Sequence, residues 1–204
     1  MQYEEAVKFL QQSDPILGQV IDQIGRCRLD EVIQQGDLFA ALSRAIIHQQ
    51  ISTKAAGAIY RRFLLLYPHQ PSPTALDILD TPDELLLKAG LSRPKVTYLK
   101  DLAQKVIDGL PTLLELETMD DEAIVQTLTQ VKGIGRWTVQ MLLIFRLQRQ
   151  DVLPVDDLGV RAAIRKIYSL PELPNRQTIV NLGQNWQPYR SIASWYLWRS
   201  LELK

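Results

Sequence analysis

The sequence predicts an all-α protein, and three observations carry that prediction. Apolar residues recur at three- and four-residue spacing, helix boundaries are marked by capping residues, proline and glycine, and no clear period-two strand appears. Residues 38–47 (LFAALSRAII) and 54–67 (KAAGAIYRRFLLLY) show the helical spacing directly. Thr81-Pro82-Asp83-Glu84 reads as a helix start: an N-cap, proline at the first position, then acids at the positive end of the dipole. Gly90 closes that short helix, and a longer one over 92–108 is stopped by Gly109 and Pro111. Asp120 or Asp121 opens the next, which runs into the turn VKGIGRWTVQ at 131–140. Helices near 135–148, 157–168, 176–184 and 189–201 follow, separated by proline and asparagine. No linker, repeat or low-complexity tract interrupts the chain, so residues 1–204 read as a single domain, compact and two-lobed.

At 204 residues the chain can bury one good core or two small lobes. Cys27 is the only cysteine, which excludes an internal disulfide and any cysteine-ligated zinc or iron–sulfur cluster and fits a reducing compartment. His48 and His69 do not suggest a metal pair, and neither a Ser-His-Asp set nor a phosphate-binding P-loop is visible. No N-terminal apolar region and no membrane-spanning run appears, so the expectation is an intracellular protein without a membrane partner. Its compartment would be the cytoplasm or nucleoid, or the nucleus in a eukaryote.

Net charge is zero, with 23 basic and 23 acidic residues, which argues weakly against a nucleic-acid partner. The distribution says more. Residues 128–150 hold Lys132, Arg136, Arg146 and Arg149 with no acid, and residues 36–70 hold Arg44, Lys54, Arg61 and Arg62 against Asp37 alone. Two basic stretches fit a local anionic partner or, equally, solvated helix faces.

Gly133 and Gly135 flank Ile134 directly before the apolar run WTVQMLLIF. Glycine inside a helix costs about 1 kcal/mol relative to alanine, so the pair marks a forced turn or a close backbone approach. Residues 120–148 then read helix, hairpin, helix, with Ile134 pinning the turn to the core. Such a hairpin offers backbone N–H groups and the positive end of a dipole, where a phosphate can sit beside Lys132 and Arg136. A plain αα-corner has the same spacing.

LTQVKGIGRWTVQM resembles the helix-hairpin-helix of the HhH-GPD DNA glycosylase superfamily, in which a Gly/Pro-rich loop and an aspartate follow the hairpin. That continuation is DVLPVDDLGVRAAIRKIY at 151–168. AIIHQQISTKAAGAIYRRF (45–63), GLSRPKVTYLKDLA (90–103) and WQPYRSIASWYLWR (186–199) match in order, so the resemblance runs from about residue 36 to the end. The nearest likeness is to the 3-methyladenine DNA glycosylase II (alkylbase DNA glycosylase) group, in a compact form without the N-terminal β domain of larger members.

The resemblance implies a hydrolase of N-glycosyl bonds that starts base excision repair on double-stranded DNA containing alkylated bases. Members that also cut the strand carry a lysine two positions after the second hairpin glycine; Trp137 stands there, so no AP-lyase activity is expected. Asp157 matches the catalytic aspartate, with Asp156 left to cap the helix or hold Asp157; either acid taken alone reads equally as an N-cap. Trp137 and Trp198 match base-pocket positions and Met141, one helical turn beyond Trp137, is placed with them, while Trp186 and Trp195 are assigned to the core, the commoner place for an indole. Gln49, Gln50 and Ile51 match the loop that fills the gap left by an extruded base, with Gln50 or Ile51 as the wedge and Gln49 facing the opposite strand. Ser52 reads as a helix N-cap or a phosphate contact. Lys132, Gly133, Gly135 and Arg136 would hold the DNA backbone.

The resemblance implies no required cofactor, but a structural monovalent cation on the carbonyls of Thr129, Val131 and Ile134. A monomer suits an enzyme that scans DNA. Two other readings stay open: a non-catalytic helix-hairpin-helix DNA-binding protein, and a glycosylase for hypoxanthine, ethenoadenine or uracil.

Overall fold

The computed structural model describes residues 3–31 and 36–203, and among them the secondary structure is helical, with no strand. The chain divides into two compact units, Met1–Ile33 with Gln140–Lys204, and Gln34–Val139. No helix among the described residues is long and apolar enough to cross a membrane.

The first unit is built on α1 (Glu4–Ser13), α2 (Pro15–Ile24), α11 (Leu158–Ile167), α12 (Arg176–Gly183) and α13 (Arg190–Ser200). Helix α13 is buried on all sides over Ser191–Leu197, so it is the axis against which α2 and α11 pack. Its serines tolerate that burial because their hydroxyls have partners: Ser194 donates to Arg190 O (2.8 Å) and Ser200 to Leu197 O (2.7 Å). Trp186 and Trp195 are buried here, as the sequence reading has them.

Asp14 is the polar node of this unit. Its Oδ1 accepts from Ile16 N and Leu17 N, both at 3.1 Å, capping α2 ahead of Pro15. Its Oδ2 accepts from Trp186 Nε1 at 2.8 Å and from the Tyr168 hydroxyl. One buried carboxylate thus serves four donors from segments more than 150 residues apart in sequence. Burial, then the bond to Asp14, pushes the Tyr168 hydroxyl pKa far above the phenolic range.

The second unit carries α3 (Leu38–His48), α4 (Thr53–Leu64), α5 (Ala75–Asp80), α6 (Asp83–Lys88), α7 (Arg93–Ile107), α8 (Leu113–Glu117) and α9 (Asp121–Leu128). The central element is α7, which packs on α3, α5 and α6 and buries Val96, Leu99, Leu102 and Ala103. Helix α10 (Arg136–Phe145) begins in this unit and ends in the other.

Several boundaries differ from the sequence reading. Thr81 is not an N-cap: its hydroxyl donates to Asp77 O (2.6 Å) and meets the Tyr67 hydroxyl (2.8 Å), so it closes α5 and Pro82 precedes α6 without a side-chain cap. The helix expected over 54–67 ends at Leu64, and that expected over 135–148 ends at Phe145, ahead of Gln148 at φ 53°. Helices α1, α2, α5 and α8 lie outside the expected elements, although the sequence carries signals for them. Asp14-Pro15 is a cap followed by a first-position proline, and Thr74–Asp77 and Thr112–Glu115 form reciprocal capping boxes.

Replacing Asp14 by alanine strands the Tyr168 and Trp186 donors and uncaps α2. The expected loss is about 2–4 kcal/mol of unfolding free energy by chemical denaturation, with Asp14→Asn losing less because it can still cap.

Candidate functional site

In the first unit, the segment between α10 and α11 is held by the start of α13. Arg190 grips Asp151 through Nε–Oδ1 (2.6 Å) and NH2–Oδ2 (2.9 Å). Ser191 N donates to Gln150 O and Val152 N donates to Ser191 Oγ, each at 2.9 Å. This pinned segment delivers Asp157 to the N-cap of α11, where its Oδ1 accepts from Val160 N at 2.7 Å.

Asp157 is a cap, then, but it is more than a cap. The same Oδ1 accepts from Trp198 Nε1 at 2.8 Å, and the residue is only 8% exposed. Phe145 stacks on Trp198 with ring centroids 5.5 Å apart and planes at 27°. One indole face is thereby covered, and the indole edge holds the carboxylate. Gly159 makes this packing feasible: a Cβ there would lie 3.0 Å from both Asp157 Oδ1 and Trp198 Cδ1. Asp156, by contrast, is exposed and lies 3.9 Å from Arg176. Met141 is half-buried in the same unit.

In the second unit, the structure brings the other predicted stretches together. The loop 49–51 joins α3 to α4, whose N-cap is Ser52 (Oγ to Ala55 N, 3.3 Å). The hairpin 129–135 joins α9 to α10. Gln49 Nε2 donates to Gly133 O at 2.7 Å, so loop and hairpin are tied through the side chain assigned to face the opposite strand. Gln50 and Ile51 are exposed, and Gln50 stands at φ 56°.

Gly133 has φ 82°, and a Cβ there would fall 2.3 Å from Cδ2 of Tyr98; both facts demand glycine. Gly135 differs: a Cβ there would meet nothing within 4 Å, so internal packing does not require this glycine. Ile134 is buried, and its N–H donates to Val131 O (3.0 Å), closing the turn. The Lys132 N–H donates to Asp101 Oδ2 (2.8 Å) with its ammonium 3.5 Å from Oδ1, and Arg136 pairs with Glu122 through both terminal nitrogens (2.9 and 2.6 Å). Trp137 lies in the first turn of α10 and is 46% exposed.

Three residues that sequence reasoning did not single out hold these two loops in place. Lys95, Tyr98 and Asp101 recur every three positions on α7, a spacing that was the available signal. Among the described residues, no cluster of His, Cys, Asp and Glu could hold a metal ion. His48, at the end of α3, has a buried Nε2 without a hydrogen-bond partner. Burial, then Arg44 and Lys95, lowers its pKa from the ordinary 6.5.

The sequence matches the family described as HhH-GPD superfamily base excision DNA repair protein over residues 43–188. It is 38% identical to DNA-3-methyladenine glycosylase 1 of Schizosaccharomyces pombe over 185 residues, 90% of this chain and 81% of that protein. Among solved structures, the 3-methyladenine DNA glycosylase Mag1 of the same yeast, in complex with abasic DNA, superposes with a TM-score of 0.89 at 36% identity. That match covers 98% of this chain and 97% of Mag1. A DNA-3-methyladenine glycosidase from Bacillus halodurans gives a TM-score of 0.86 at 32% identity, covering 97% and 89% of the two chains.

Two outcomes follow. Gly133→Ala is expected to lower stability by about 1–3 kcal/mol in denaturation, since the left-handed backbone and the Tyr98 ring both resist a side chain. His48 is held neutral in the folded state, so its contribution is intact above 6.5 and is lost as pH falls below that value towards its lowered pKa. The pH dependence of unfolding free energy between about 7 and 5 should therefore be shallower in His48→Gln than in wild type.

Proposed function

Because the chain belongs to the HhH-GPD superfamily of base excision DNA repair proteins, we propose that it is a monofunctional DNA glycosylase. In this reading it turns alkylated purines of the 3-methyladenine type out of duplex DNA and hydrolyses their N-glycosidic bond. The observation that carries the proposal is the buried Asp157 carboxylate, fixed from two sides by Val160 N and Trp198 Nε1.

An N3- or N7-alkylated purine is already cationic and departs with the bonding electrons without first taking a proton. The sugar then carries oxocarbenium-like positive charge. A carboxylate held in one orientation stabilises that charge and steers or deprotonates the water that attacks the anomeric carbon. The products are the free base and an abasic site. No general acid is needed, which agrees with an exposed Asp156 beside Arg176. Trp137 offers no amine for a Schiff base, so the abasic strand stays uncut.

Base selection in this proposal falls to the indole of Trp198, which Phe145 backs on one face. A cation over an indole face gains about 0.5–2 kcal/mol. Trp137 joins it on the family resemblance alone, and Met141 on its place one helical turn beyond Trp137. The exposed Gln50 and Ile51 fill the vacated stack, and the hairpin around Gly133 and Gly135, with Lys132 and Arg136, takes the phosphates. The carbonyls of Thr129, Val131 and Ile134 would hold a monovalent cation; Val131 O already accepts from Ile134 N and has its second lone pair for that ion. When bound, the cation would stiffen the hairpin. We place the enzyme as a monomer on DNA in the compartment that holds it.

The test is base release from methylated duplex by purified protein at one stated salt concentration, since phosphate contacts make affinity salt-dependent. Wild type should release 3-methyladenine and leave the strand intact. Asp157→Asn should bind equally and release base on the order of a thousandfold more slowly. Trp198→Phe, which keeps a ring but loses the N–H, should slow single-turnover release by about tenfold or more at unchanged DNA affinity. Binding without release of any methylated base by wild type would overturn the alkylation assignment, and hypoxanthine, ethenoadenine and uracil duplexes would then separate another lesion from a pure binding module.

A further inference from the structure

The loop 49–51 and the hairpin 129–135 are far apart in sequence, yet within the second unit they share one support. Lys95 Nζ donates to Ile47 O (2.7 Å), in the last turn of α3, and to Gln49 O (2.9 Å), the first carbonyl of the loop. Gln49 Nε2 donates to Gly133 O (2.7 Å), the Tyr98 ring fills the space where a Gly133 side chain would stand, and Asp101 accepts from Lys132 N (2.8 Å). The connections close a ring from α7 through the loop and the hairpin back to α7. From Lys95 to Asp101 the helix rises about 9 Å, so one rigid rod fixes the spacing of two loops.

Lys95 is half-buried, and burial lowers its pKa. A cation in that position is costly unless its hydrogen bonds are made, and here they go to the negative end of the α3 dipole. The residue after its second carbonyl is Gln50, an exposed non-glycine at φ 56°. Such a conformation is strained and persists only where the surroundings over-determine it. The Lys95 bonds fix the carbonyl immediately before it.

We propose that Lys95 is a positioning residue that presets the loop 49–51 against the hairpin, so that the loop tip is ready to enter the duplex when the hairpin holds the backbone. This rests on the glycosylase reading above for what the loop does, and on geometry alone for how it is held. Both hydrogen bonds of the Lys95 ammonium go to backbone carbonyls of its own chain. Its removal should leave backbone binding intact and penalise the step in which the base leaves the stack.

The experiment compares wild type, Lys95→Met and Lys95→Arg on two duplexes with the same methylated base, one fully paired and one with the lesion in a mismatch, where extrusion is easier. Single-turnover release at saturating protein is measured beside affinity for undamaged duplex, and thermal midpoints are recorded. Fluorescence of 2-aminopurine next to the lesion reports unstacking without chemistry. Lys95→Met should keep affinity within about twofold, lose about tenfold or more in release from the paired duplex with a matching loss of fluorescence, and lose much less on the mismatch. Lys95→Arg should recover most of the loss. Equal losses on both duplexes, or unchanged fluorescence, would overturn the proposal. If wild type releases no methylated base, the glycosylase reading fails, while the fluorescence arm still decides whether Lys95 governs loop insertion. Should Lys95→Met not fold, Lys95→Gln takes its place with the same readouts.

Discussion

The arrangement of the candidate catalytic group depends on one oxygen atom. Asp157 Oδ1 receives the Val160 N–H of its own helix and the Trp198 indole N–H of another. The first bond places the carboxylate at the positive end of α11, and the second sets its rotation. Everything nearby serves that pair. Arg190 and Ser191 pin the preceding segment, Phe145 backs the indole, and Gly159 leaves the gap in which aspartate and tryptophan meet. A carboxylate that is to stabilise a developing cation must not swing away to be solvated, and two donors on one oxygen prevent that swing.

Features written in local sequence were legible, and features made by tertiary contact were not. The hairpin, the buried Ile134, the Ser52 cap and the core indoles Trp186 and Trp195 could be read because each depends on neighbours within a few residues or on plain apolar bulk. Asp157 could be placed but not understood: the cap and the catalytic readings were set against each other, and in the structure the cap supports the proposed role. Lys95 and Asp14 were missed for a different reason. Lys95 reaches 46 and 48 positions back, and Asp14 accepts from Trp186, 172 positions on. No window of sequence contains such pairs. Thr81 failed as a cap because a neighbouring helix end competed for its hydroxyl, which composition cannot reveal.

Gln49 shows how one side chain can carry two assignments. The family pattern gives it to the opposite strand, while its amide nitrogen is bonded to Gly133 O. An amide has an acceptor as well as two donors, so the bond that ties the loop to the hairpin leaves the oxygen for a second partner. Orientation by one end is what makes recognition by the other end specific, because a free glutamine would lose rotamer freedom on binding.

The neutral net charge, which counted against a nucleic-acid partner, has a structural counterpart at the hairpin. Lys132 faces Asp101 and Arg136 faces Glu122, so basic residues beside the proposed phosphate site already have carboxylate partners. Arg136–Glu122 is exposed on both sides and contributes little to stability, about 0–1 kcal/mol, so fold strength does not explain it. The effect of both pairs falls on binding. A phosphate approaching the hairpin must share or displace a carboxylate, which weakens the sequence-independent attraction that a bare basic patch would give. Backbone N–H groups of the hairpin are engaged too: Lys132 N donates to Asp101 Oδ2 and Ile134 N to Val131 O, so a phosphate would compete there as well. In the proposed glycosylase, such damping would lower the affinity for any duplex alike. A neutral net charge is therefore compatible with the DNA partner proposed above.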